Sequence, residues 1–112
     1  MIHVMNAAIM PAVGCYNLMG ITEGGFMRAI RTAHRDGNLT SWIGYQQNAD
    51  YIRKHTGISL PITRAETSIK DGDKLLIMKL RYRVDGLPKG APVDENDFEF
   101  FWCEFTAMTE TR

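Results

Sequence analysis

Apolar and polar positions along this chain change their period several times, and each change marks an element. IHVMN, residues 2–6, reads as a short strand, and CYNLMGI, 15–21, as a second one weakened by its glycine. Between them AAIMPAVG reads as loop, because Pro11 and Gly14 discourage regular structure. The period then becomes helical: Phe26, Met27, Ile30 and Ala33 share one face, while Arg28, Arg31 and Arg35 lie on others. Thr22 is the expected N-cap, Glu23 suits the first turn, and Gly37 is the expected left-handed residue after the last turn. LTSWIG, 39–44, predicts another strand, and residues 46–56 predict a second helix closed by Gly57.

ITRAETSI, 62–69, reads as a strand, and KDGDK as a tight turn built on Asp-Gly. KLLIMKLRYRV, 74–84, is the longest strand expected. Its LLIM core is continuous, which predicts burial on both faces, whereas Lys79, Arg81 and Arg83 alternate outward. DGLPKGAPVDEND reads as a long polar loop before an aromatic strand, FEFFWCEF, at 98–105. About five strands and two helices predict one mixed α/β layer domain over residues 1–112, with aromatic faces suited to a subunit interface.

Composition narrows the function classes. An apolar share of 45% and a charged share of 23% belong to an ordinary globular protein. Thirteen basic and thirteen acidic residues cancel, so no net field draws the chain to long nucleic acid or to a membrane. An anionic ligand would need a local cluster. Cys15 and Cys103 follow no metal spacing and are expected as two buried thiols of an intracellular protein. MIHVMNAAIM lacks the basic leader of a signal peptide, and no apolar run reaches the length of a membrane span.

Chemistry-bearing motifs are few. There is no HExxH, zinc quartet, phosphate-binding loop or nucleophile elbow, so neither metal nor cofactor is expected. His3 alternates with its strand neighbours, and His34 and His55 fall in the last turns of the two helices, where a favourable charge–dipole contact accounts for them. Arg81, Tyr82, Arg83, Asp85 and Lys89 make either a compact anion site or a solvated sheet edge. Tyr45, Gln46, Gln47 and Asn48 follow Gly44 where a strand gives way to a helix. They either cap that helix or hydrogen-bond a nucleobase and ribose, with Tyr45 stacking on the base.

The order of five pieces adds to this reading. VMNAAIM, WIGYQQNADYIRKHTG, ITRAETSIKDGDKLLIM, LRYRVDG and FEFFWCEFT together span nearly the whole chain. In that order they resemble the small viral family that includes the type III anti-CRISPR ring nucleases. The resemblance implies an α/β fold with a mixed five-stranded sheet and flanking helices, and a homodimer whose subunits together form a pocket for cyclic tetra-adenylate. It implies metal-free cleavage, in which a ribose 2′-hydroxyl attacks the neighbouring phosphate. A histidine directly after Ile-Gly protonates the leaving 5′-oxygen, and an arginine and an acidic residue assist.

Asn6 and Ala7 match the pocket-lining loop, which Ala8, Ile9 and Met10 continue. Arg83, with Arg81 beside it, matches the arginine, and Asp85 matches the acidic position one residue short. Tyr45, after Gly44, stands where the histidine is expected. An imidazolium titrates close to working pH, whereas a phenol with a pKa of about 10 holds its proton too tightly to donate it well. Stacking and hydrogen bonding survive the exchange.

The expectation is therefore a viral counter-defence protein of the host cytoplasm. It would act as a sponge for a cyclic nucleotide messenger, either a cyclic oligoadenylate or a cyclic ADP-ribose derivative. Asn6–Met10, Gly44–Gln47, Arg81 and Arg83 would line its site. The alternative is a ring nuclease acting through Tyr45, Arg83 and Asp85. A third reading is an interaction module that blocks a host protein through its aromatic last strand.

Overall fold

Four consecutive apolar residues, Leu75 to Met78, are all fully buried, and the sheet is built around them. The computed structural model describes residues 1–5, 14–62, 69–80 and 97–107. Its elements in chain order are β1 (Ile2–Met5), β2 (Gly14–Gly20), α1 (Glu23–Arg35), β3 (Leu39–Trp42), α2 (Gln46–Thr56), β4 (Lys74–Leu80) and β5 (Phe98–Ala107). The strands form one five-stranded sheet in the order β2-β5-β4-β1-β3. β1 runs parallel to both β3 and β4, whereas β5 is antiparallel to β4 and β2, so the sheet is mixed, as the family resemblance implies.

Side chains alternate across β4 and β5 and divide the core in two. Leu76, Met78, Phe98 and Phe100 join Val4 and meet the apolar faces of both helices through Phe26, Ile30, Ala49 and Ile52. Leu75, Ile77, Cys103 and Phe105 join Met5 and Ile69 on the opposite face. Both described helices therefore cover the same side of the sheet. The helix caps form as expected: Thr22 accepts from the Gly25 amide at 3.0 Å, and Gly57 closes α2 at φ 77°.

Several boundaries differ from the sequence reading. β3 stops at Trp42, because Ile43 turns into the helix-side core and Tyr45 is already the N-cap of α2. β5 continues to Ala107, since Thr106 and Ala107 pair with Cys15 and Gly14. Cys15 is exposed rather than buried: β2 is an edge strand, and the alternation that turns Tyr16 onto Phe105 turns Cys15 the other way. Cys103 is buried as expected, and both thiols are free. Most of the strand expected at 62–69, the outward Arg81 and Arg83, and nearly all of the loop before β5 lie outside the described residues.

Candidate functional site

The three parallel strands end at one edge of the sheet, and that edge positions the site. Met5 sits opposite Trp42 on one side and Ile77 on the other, so β1, β3 and β4 share a carboxyl end. In open α/β sheets ligands settle outside that end. From Trp42 the chain passes through Ile43 and Gly44 directly into α2.

Tyr45 takes an extended conformation at the N-cap, and its carbonyl accepts from the amides of Asn48 at 3.2 Å and Ala49 at 3.4 Å. Its side chain makes no capping bond and is 42% exposed. The first of the neighbouring amides is turned along the helix: Gln46 reaches along α2 to Asp50 at 2.7 Å. The Gln47 side-chain nitrogen is buried without a hydrogen-bond partner, and Asn48 is buried. No acidic residue stands in the first turn of α2, so the positive end of its dipole is left without a carboxylate there.

Gly44, Tyr45, Gln46 and Gln47 are thus brought together at the corner. The other expected site residues, Asn6, Ala7, Ala8, Ile9, Met10, Arg81, Arg83 and Asp85, lie outside the described residues. In the chain they follow directly on the ends of β1 and β4, the two strands that share the corner's edge.

A second polar group was not legible as a unit in the sequence. His3 is buried, with Nε2 2.8 Å from an Asp73 carboxylate oxygen, and its Nδ1 accepts from Trp42 Nε1 at 2.7 Å. Asp73 also accepts from the Lys70 amide at 2.8 Å and lies 3.4 Å from the N-terminal ammonium. Burial by itself would raise the Asp73 carboxyl, but the Lys70 amide, the His3 ring and the terminal ammonium together hold it below its ordinary value. The only hint in the sequence is the second aspartate of KDGDK. Its partnership with His3 needs the parallel pairing of β1 with β4, which sequence spacing does not reveal.

The remaining histidines lie in the last turns of the helices, as expected. His34 is exposed on α1, and the His55 ring stands 4.5 Å from Tyr51. Burial, and next the nearby Glu104 carboxylate, push the Cys103 thiol up, which keeps it protonated and inert. Among the described residues no cluster of His, Cys, Asp and Glu could hold a metal ion, and no helix is long and apolar enough to cross a membrane.

This arrangement has known counterparts. The model of the STIV B116-like family matches residues 2–105. The chain belongs to the STIV B116-like family. The fold is similar to that of B116 of Sulfolobus turreted icosahedral virus, with a TM-score of 0.74 and 18% identity. That match covers 91% of this chain and 97% of the viral one. No curated protein matches the chain. The likeness to B116 is one of fold, and the chemistry of the corner rests on this chain's own residues.

Proposed function

We propose that this viral-family protein binds a cyclic nucleotide immune signal at the Gly44–Gln47 corner and holds it intact, acting as a counter-defence sponge. The observation that carries this reading is Tyr45. A half-exposed aromatic ring stands at the start of a helix, at the carboxyl edge of three parallel strands, with amide side chains beside it. A ring there stacks on an adenine, and the helix start favours a phosphate. Gln46 reaches a base or ribose by exchanging its bond to Asp50, and Gln47 keeps an unpaired donor in the interior of the same corner.

Retention without cleavage is supported by the placement of histidine. Tyr45 takes the position at which the ring-nuclease resemblance expects a general acid, and both ring nitrogens of His3 are committed to Asp73 and Trp42. Arg81, Arg83 and the Asn6–Met10 segment complete the proposed site, as chain neighbours of β4 and β1. A homodimer is part of the proposal. Leu18 and Met19, 44% and 47% exposed on the uncharged edge strand β2, give it apolar surface to cover.

The test is retention. Purified protein is incubated with cyclic oligoadenylates and cyclic ADP-ribose derivatives, freed of unbound ligand and heat-denatured, and the released material is chromatographed. Recovery of an intact nucleotide supports the sponge and names the ligand. A linear product replaces it with a ring nuclease. Neither retention nor cleavage overturns nucleotide binding and directs attention to a protein partner.

A further inference from the structure

We infer that His3 is a proton-operated latch on the β3–α2 corner: its neutral ring anchors Trp42, and protonation forces that anchor to release. An indole N–H can only donate, so the His3 nitrogen facing it at 2.7 Å must carry a lone pair. The single ring proton is therefore on Nε2, where it is donated to Asp73 at 2.8 Å. A second proton on Nδ1 would set two N–H groups head to head across 2.7 Å. The protonated ring and the present position of Trp42 exclude each other.

The groups facing the ring decide how the latch responds. Asp73 faces Nε2, and the N-terminal ammonium lies 3.4 Å from Asp73. Lys70 and Asp71 come from the turn before β4, and Lys74 begins that strand. Thr40 pairs with His3 from β3, Leu75 pairs with it from β4, and the Cys103 thiol is buried on the same face of the sheet. Trp42 is the last residue of β3, and its indole also lies along the imidazole, with ring centroids 6.1 Å apart. Release of that ring frees the side chain that fixes the entry to Ile43, Gly44 and Tyr45.

The latch is tested without any nucleotide. Trp102→Phe leaves Trp42 as the one tryptophan, since the chain has two. Its emission should change in a single transition as pH falls from about 8 to about 5, the range in which histidine titrates. His3→Gln in that background should abolish the transition. An unchanged emission, or the same transition in the His3→Gln variant, overturns the latch. Nitrogen NMR of the unmodified protein covers the case in which the variant fails to fold. At about pH 8 the His3 ring must show its proton on Nε2 alone, and a proton on Nδ1 overturns the inference.

The link to the site rests on the reading of the corner as a binding site. Cyclic tetra-adenylate, if retained, should bind about tenfold more weakly at the acid end, and His3→Gln should remove that difference. Loss of affinity that persists in the variant overturns the coupling. The optical and NMR results do not depend on whether any nucleotide binds.

Discussion

The hydroxyl of Tyr51, in the middle of α2, donates to the carboxylate of Glu23, in the first turn of α1. The Tyr51 ring also stands 4.9 Å from Phe98, so one side chain ties both helices to the last strand. Tyr51→Phe keeps the ring and removes the donor. Because Glu23 is partly exposed, the loss should be about 1 kcal/mol of stability, measured by urea denaturation with the slope unchanged.

Phe26 tests the helix-side core. It is fully buried, with its ring 4.9 Å from that of Phe100. Phe26→Ala leaves a void between helix and sheet and should cost about 3–5 kcal/mol, visible as a lower denaturation midpoint. A cost below about 1 kcal/mol would mean that the helices do not pack as described.

Gly57 ends α2 at φ 77°, where a side chain is strained, although open space surrounds its Cβ position. Gly57→Ala should therefore destabilise by about 1–2 kcal/mol through the backbone alone. Asn at the same position, which tolerates the left-handed region better, should recover part of the loss in the same assay.

Asp73 sets an acid limit. Its folded-state pKa lies below the ordinary 3.8, so its contribution is complete above that value and is lost as pH falls through the lower folded one. Between pH values of about 6 and about 3 the wild-type protein should lose more stability than Asp73→Asn, which cannot titrate. Equal losses would show that the carboxylate is not held by His3 and the Lys70 amide.

Tyr45 separates binding from folding. Tyr45→Phe preserves a stacking ring and should retain most nucleotide affinity. Tyr45→Ala should weaken retention at least about tenfold while changing stability by no more than about 1 kcal/mol, because the side chain is half exposed. Ligand recovery and thermal melting on the same preparations read both effects.

How much of this was legible in the sequence follows from how local each signal is. Thr22, Gly37 and Gly57 announced the helix ends because capping needs only a few neighbouring residues. The unbroken LLIM run announced a strand buried on both faces. The exposure of Cys15 was not legible, since it depends on β2 lying at the sheet edge, and strand order is a long-range property. The Trp42–His3–Asp73 chain was hidden for the same reason, its members lying on three segments joined only by parallel pairing. At the candidate site the corner itself was readable from Gly44 to Gln47. That Tyr45 makes no capping bond, that Gln46 turns to Asp50 and that the Gln47 nitrogen is buried emerged only from the three-dimensional contacts.

The strand order carries a consequence for biosynthesis. β1 precedes the other described strands, yet one of its two neighbours is β4, and β2 has no described neighbour except β5, the last of the five described strands. Gly14 must wait for Ala107, its partner in the ladder. Such distant pairing is slow to form and cannot begin until β5 has emerged. We therefore expect the sheet to stay incomplete until β5 is available. Nascent chains arrested before residue 98 should remain protease-sensitive, whereas a chain extended far enough to clear Ala107 from the exit tunnel should become resistant.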